Sequence, residues 1–187
     1  MNDKIRILGF AGSLRKESFN RALLRNAARF IPDSSSLEIF ELDGIPPFNQ
    51  DTEKDMHQKV GNFKSKIREA DAILISTPEY NYSVPGVLKN AIDSASRPYG
   101  DNPFDGKPVA IMSASIGMLG GARAQYHLRQ IFVFLNMYPI NRPEVMVNFA
   151  ADKFDSNGDL MDETSKKLIS ELIQNLVDWA ILLQKNN

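Results

Sequence analysis

The stretch GFAGSLRKESFN, residues 9–20, follows directly on the apolar run Ile5-Arg6-Ile7-Leu8. A turn of this composition, set between a buried strand and a helix start, suits an anion. Backbone N–H groups are unpaired there, and the helix dipole favours negative charge. Gly12 lets the backbone approach closely, Ser13 and Ser18 add hydroxyl donors, and Arg15 adds a charge-assisted fork. Asn20 can donate its amide or tie the loop to itself. Neither of the two commonest glycine motifs is present. Gly9-x-x-Gly12 lacks the third glycine of the dinucleotide fingerprint, and no Gly-Lys-Ser/Thr follows as a Walker loop requires. The chemistry therefore argues against a nucleoside triphosphate and for a phosphomonoester. Taken singly, Ser18 or Asn20 reads as a helix cap. Two serines, an arginine and an asparagine between residues 13 and 20 tip the balance to anion binding.

A second constellation is Thr77-Pro78-Glu79-Tyr80-Asn81-Tyr82-Ser83-Val84-Pro85-Gly86. Its prolines stiffen the backbone, and its aromatic and amide groups can meet a flat heterocycle by stacking and hydrogen bonding. A capped turn accounts for Ser83 as helix cap and Pro85 in the first helical turn, but not for Glu79-Tyr80-Asn81. A third stretch, Ser113-Ala114-Ser115-Ile116-Gly117 running on to Gly120-Gly121, is small and polar. A phosphate seat, a stiff aromatic wall and a small-residue floor together suit a mononucleotide with a planar ring.

Positioning these loops requires an alternation of short apolar runs and longer helical patterns. Strands are expected over residues 5–10, 37–42, 72–76, 109–113 and 144–149, and helices over 21–30, 51–70, 84–96, 122–138 and 162–184. Strands alternating with helices imply a parallel sheet joined by right-handed crossovers, with helices on both faces. The first, third and fourth strands are nearly continuous apolar runs and belong in the centre; the second alternates and suits an edge. The fold class expected is thus α/β, a doubly wound five-stranded parallel sheet in the order 2-1-3-4-5. Its ligand crevice lies at the switch point beyond the carboxyl ends of strands one and three. That places the second constellation beside the phosphate turn.

The remaining bulk properties narrow the classes. The chain has 187 residues, most simply one domain spanning 1–187, and a net charge of -1 with scattered basic residues. Neither nucleic acid nor a membrane surface is an expected partner. There is no cysteine, which excludes disulfides and thiolate catalysis and suits a reducing compartment. No apolar run reaches the ~18 residues of a membrane span, and the N-terminus lacks the core of a signal peptide, so a cytoplasmic location is expected. No His/Asp/Glu cluster at ligand spacing points to a metal. His57 reads as solvated in a polar helix, and His127 as a packing or interface residue. Asp51, Glu53 and Asp55 read as favourable charges at a helix N-terminus.

The segments GSLRKESFN, TPEYNYSVPGVLKNAIDSASRP and GGARAQYHLRQIFVFLN, in this order, resemble the NADPH-dependent FMN reductase family, and more closely its chromate/quinone reductase and azoreductase branch. The resemblance implies a flavodoxin-like fold, non-covalently bound FMN, NADPH or NADH as electron donor, and quinones, azo dyes, chromate or free flavin as small-molecule acceptors. Carried onto this chain, it implies that Ser13, Arg15, Ser18 and Asn20 hold the FMN phosphate. Pro78, Glu79, Tyr80 and Asn81 would line the isoalloxazine, mostly through backbone groups, and Ser115 would lie near its other edge. The segment around Arg123, Tyr126 and Glu144 resembles a subunit contact, implying a homodimer or homotetramer. Ser94 departs from the pattern, standing where many relatives carry a tryptophan. Such chemistry belongs to the flavin, and no protein acid, base or nucleophile is obligatory. The contrasting readings are a flavodoxin-type electron carrier, disfavoured by the near-neutral charge, and a phosphate-sensing module without redox activity.

Overall fold

The computed structural model describes residues 4–185. Strand β1 (Ile5–Ala11) is buried at every position but Arg6. It leads through the 12–18 turn into α1 (Phe19–Ala27), which runs on into a short 3-10 turn, Ala28–Phe30. β2 (Ser35–Phe40) is largely open on its outer side. A long segment containing a 3-10 turn, Gln50–Thr52, reaches α2 (Gln58–Glu69). β3 (Ala72–Ser76), α3 (Gly86–Ala95), β4 (Pro108–Ala114) and α4 (Ala122–Leu135) follow. Two short strands, β5 (Tyr138–Pro139) and β6 (Val145–Val147), a helical turn α5 (Ala150–Lys153) and the long α6 (Glu163–Lys185) complete the described chain.

The sheet is parallel and runs β2-β1-β3-β4-β5, with β6 also paired to β4. Registers such as Gly9↔Leu74 and Ile75↔Ile111 align the strands. Successive side chains point to opposite faces. One face, with Ile7, Leu74 and Met112, packs against α1 and α6; the other, with Leu8, Phe10, Ile73 and Ile75, packs against α2, α3 and α4. β3 and β4 are buried at every residue because helices cover both of their faces. This is the expected flavodoxin-like doubly wound fold.

Three local expectations are corrected. The helix expected over 51–70 begins only at residue 58, capped by the His57 ring, whose Nδ1 accepts from the Lys59 amide at 3.2 Å. The preceding segment is fastened along α3 instead: the Asn90 amide holds the Phe48 N–H at 2.8 Å and the Pro46 carbonyl at 2.9 Å. Glu53 reaches Arg97 at 3.4 Å, so it ties this segment down rather than charging a helix start. The helix expected over 122–138 stops at residue 135, because Asn136 takes a left-handed conformation (φ 55°) and its amide and that of Met137 turn back onto Phe132 and Val133 carbonyls. Tyr138 then bonds Lys107 and joins the sheet, so the fifth strand position is filled by two short pieces rather than by one strand over 144–149. Ser94 is buried at the wall of a cavity of about 70 Å³ between α3 and the 46–57 segment.

Lys64 is almost wholly buried on α2 and clamps the excursion after α3, bonding the Arg97 carbonyl, the Asp101 carbonyl at 3.0 Å and the Asp101 carboxylate at 2.8 Å. The hydrogen bond from Lys64, with Arg68 also paired to the same carboxylate, holds the Asp101 carboxyl below its ordinary range. A carboxyl depressed in the folded state stabilises the fold above its unfolded value of about 3.9, and that contribution is lost as pH falls through the depressed value. Asp101→Asn is therefore expected to lower the urea midpoint at pH 7 and to flatten its fall toward acid; identical pH profiles for both proteins would refute the clamp.

Candidate functional site

The carboxyl ends of β1, β3 and β4 stay in register beyond the strands themselves. The Gly12 amide donates to Ser76 (2.8 Å), the Thr77 amide to Met112 (3.0 Å), and the Ser115 amide to Val147 (2.9 Å). Three loops, residues 12–18, 77–85 and 115–121, consequently meet at one edge of the sheet.

The first loop is seated deeply. A Cβ at Gly12 would lie 3.0 Å from both Thr77 Oγ1 and Leu88 Cδ2, a tight contact that glycine avoids without any shift of those side chains. Ser13 is buried, and its Oγ accepts from the Arg15 amide at 3.4 Å. Ser18 Oγ accepts from the Asn20 and Arg21 amides at 3.3 and 3.5 Å, which makes it the cap of α1. Each hydroxyl still has its own hydrogen to donate. The amides of Ser13, Leu14, Lys16 and Glu17 find no acceptor among the described residues. Arg15 is exposed and makes no ion pair among them. The turn thus presents unused donors and two exposed cations, Arg15 and Lys16, that make no ion pair among the described residues, at a helix N-terminus.

Asn20 sits beneath that turn rather than on it. Its side chain is 2% exposed; Nδ2 donates to the Ala114 carbonyl (2.9 Å), and Oδ1 accepts from the Ala114 amide (2.9 Å) and the Ser76 hydroxyl (3.2 Å). It joins α1 to the ends of β3 and β4.

The second loop is a tight hairpin. Tyr80 and Ser83 exchange backbone hydrogen bonds of 3.1 and 3.0 Å around Asn81 (φ 49°) and Tyr82 (φ 64°). Two consecutive left-handed residues define a type I′ turn. Asn81 and Tyr80 are exposed at its tip, and Pro78 is half-buried. The Glu79 side chain turns away toward α4, where it accepts from the Arg123 and Ala124 amides. Ser83 does not cap α3, whose N-cap is Pro85 without a side-chain bond; its hydroxyl pairs instead with His127 Nδ1 at 2.9 Å.

The third loop is locked from below. Ser113 Oγ donates to the Gly120 carbonyl (2.6 Å) and accepts from Gln125 Nε2 (2.7 Å), which also reaches the Val145 carbonyl (2.8 Å). Gly120 (φ 59°) and Gly121 (φ 92°) admit no Cβ: it would fall 2.8 Å from the Met146 backbone and from Ser113 Cβ respectively. Ser115 is half-buried beside this loop and accepts from the Gly117 amide at 3.1 Å. Around the edge, Leu14, Tyr80, Tyr82, Ile116 and Met118 expose an apolar rim. The structure thus brings Ser13, Arg15 and Ser18 to one turn and Pro78, Glu79, Tyr80 and Asn81 to the neighbouring hairpin, with Ser115 across from them.

The match to known proteins falls on this architecture. The NADPH-dependent FMN reductase family model matches residues 5–152, and the chain belongs to that family. An NAD(P)H-dependent FMN reductase of Pseudomonas aeruginosa is 49% identical over 181 residues, covering 96% of this chain and 97% of its own. A 2-hydroxy-1,4-benzoquinone reductase of a Burkholderia species is 38% identical, covering 94% and 96%. The solved flavoenzyme NAD(P)H:(acceptor) oxidoreductase of Paracoccus denitrificans superposes with a TM-score of 0.84 at 34% identity, covering 94% of this chain and 96% of its own. The protein is accordingly an oxidoreductase that uses FMN and NAD(P)H.

The residues present fit that cofactor. A phosphate end needs donors not already engaged, and the Ser13, Leu14, Lys16 and Glu17 amides with the Arg15 side chain supply them; a planar ring needs a stiff flank, and the I′ hairpin is one. The sequence placed Gly120-Gly121 in the small-residue floor but carried no sign of Gln125, whose bonds to Ser113 and the Val145 carbonyl brace that loop. Asn20→Ala would leave the Ala114 N–H and C=O buried without partners, and it is expected to cost about 2–4 kcal/mol of stability. Urea unfolding of the cofactor-free protein measures it, and a loss under about 0.5 kcal/mol would contradict the bridging role.

Proposed function

We propose that this chain reduces quinones with NAD(P)H through FMN held at the β1–β3–β4 edge. The observation that carries the reading is the pairing of an anion seat with unused donors and a stiff, open-sided hairpin at the switch point of the sheet. Ser13, Arg15, Ser18 and the free amides around them bind the phosphate, and Asn20 fixes the height of that turn. Pro78, Glu79, Tyr80 and Asn81 flank the ring through their backbone, and Ser115 flanks its far side. When bound, FMN would supply the redox chemistry that couples NAD(P)H oxidation to reduction of the acceptor. The exposed apolar rim of Leu14, Tyr80, Tyr82, Ile116 and Met118 admits flat apolar molecules one after another. Azo dyes, chromate and free flavin are further acceptors within the same proposal, as is a working place in the cytoplasm.

Assembly into a homodimer or homotetramer belongs to this reading. α4 leaves Val133 81% and Phe134 77% exposed, and two turns earlier on the same helix Tyr126 donates to Glu144 at 3.4 Å. Two large apolar side chains this open on a helix suit a covered face. The double variant Val133→Asp/Phe134→Asp is expected to run as a monomer in light scattering, and an unchanged mass would remove this face from the assembly.

The contrasting reading, an electron carrier of flavodoxin type, is separated by turnover. FMN-loaded protein is expected to oxidise NADPH or NADH continuously with a benzoquinone present; no turnover with either donor would favour the carrier. Arg15→Ala is expected to raise the Kd for FMN about tenfold or more, the worth of one charge-assisted phosphate contact. Tyr126→Ala should leave that affinity near wild type, and equal losses in the two variants would contradict the phosphate assignment.

A further inference from the structure

The Glu79 side chain answers a need of α4 that the helix cannot meet itself. Its N-cap is Gly121 in the left-handed region, which offers no side-chain acceptor to the first amides. Glu79 supplies one from another loop. Oε2 accepts from the Arg123 amide at 2.9 Å and the Ala124 amide at 3.3 Å, while Oε1 accepts from the Arg123 guanidinium at 2.9 Å. A carboxylate here also complements the positive end of the helix. Arg123 then lies over the Tyr82 ring, 3.8 Å from its centroid.

These contacts close a circuit: Glu79 at the root of the hairpin holds α4, α4 carries Arg123, and Arg123 holds Tyr82 at the tip. Within the circuit, the amides of Glu79, Asn81 and Tyr82 donate to no acceptor among the described residues. A hairpin pinned at root and tip by groups outside itself cannot rock on the sheet edge, so those free donors keep one direction.

We propose that Glu79 is a positioning residue of the flavin site: its carboxylate locks the hairpin to the N-terminus of α4 and thereby aims the hairpin's free amides at the ring. This rests on the reading that the FMN ring lies along this hairpin. The carboxylate itself touches neither cofactor nor substrate.

The test separates ring from phosphate. FMN and riboflavin share the ring, and only FMN has the phosphate. Titration of the cofactor-free protein with each, followed by flavin fluorescence and the visible absorption bands, gives two affinities and a spectral signature for every variant. Glu79→Ala is expected to weaken FMN and riboflavin by a similar factor, about tenfold, and to alter the band shape of the bound flavin. Arg15→Ala is expected to weaken FMN while sparing riboflavin. Glu79→Gln keeps an oxygen for the Arg123 and Ala124 amides, folds with the helix still capped, and should recover part of the loss for both ligands. If Glu79→Ala does not fold, the Glu79→Gln comparison carries the test: a shared partial loss supports the proposal. Wild-type affinity for both flavins with unaltered bands in Glu79→Ala, or in Glu79→Gln where Glu79→Ala does not fold, overturns it, even where thermal melting is lowered. A wild-type protein that takes up no FMN fails differently, by removing the cofactor reading on which the proposal stands.

Discussion

Asn20 is the point at which three elements of the site become one body. A carboxamide buried among apolar side chains is costly unless its oxygen and nitrogen are both engaged. Here the amide and carbonyl of Ala114 engage both ends at 2.9 Å, while the Ser76 hydroxyl takes the second lone pair of the oxygen. Because Asn20 lies in the first turn of α1, that bond set decides where the helix begins over the sheet. The 12–18 turn inherits its height from this bridge. Gly12 then lets the turn settle against Thr77 and Leu88, where a Cβ would press on both side chains at 3.0 Å. The same logic recurs on the other side of β4, where Ser113 and Gln125 hold a loop that only Gly120 and Gly121 can occupy.

Where the sequence was legible, burial on two faces made it so. Ile73-Leu74-Ile75 and Val109 through Met112 are apolar without interruption because helices cover both sides of β3 and β4; a strand with one face in water would alternate. Legibility failed where a segment kept its apolar pattern but changed its path. Met137 stays buried, so the hydrophobic periodicity of α4 runs on past residue 135 although the helix has already ended. Asn136 makes that ending, and an asparagine in a helical pattern is too common to mark it. The late start of α2 has a different origin. Residues 46–57 are held along α3 by Asn90 and Arg97, and a tether from another element leaves no trace in local propensity.

The site shows the same division between residue type and residue use. Serines, an arginine and a glycine after a central strand suggest an anion seat from the sequence alone, since the chemistry invoked is local to the turn. Which bonds each polar group already makes could not be read. Asn20 and Glu79 both belong to the motif by position, yet the carboxamide of one and the carboxylate of the other are engaged with backbone far along the chain, at Ala114 and at Arg123 and Ala124. Such partners are fixed by the topology of the sheet, which brings the ends of β1, β3 and β4 together, and by nothing within the motif itself.

This division has a consequence for how the site discriminates. Side chains with directional demands are engaged in holding loops, and the groups left for a ligand are of two kinds. At the 12–18 turn they are amide and hydroxyl donors with two exposed cations, Arg15 and Lys16, a set whose geometry and charge suit a phosphate. At the outer edge they are the faces of Tyr80, Tyr82, Ile116 and Met118, whose attraction for a flat molecule is non-directional. A net charge of -1 adds little long-range preference of its own. On the proposed reading, a site built this way would hold FMN through directional donors and meet the other reactants mainly by shape and apolar area. On that same reading, selectivity for one mononucleotide and tolerance toward several electron acceptors would be governed by different atoms, the donors of the 12–18 turn and the exposed faces of the rim.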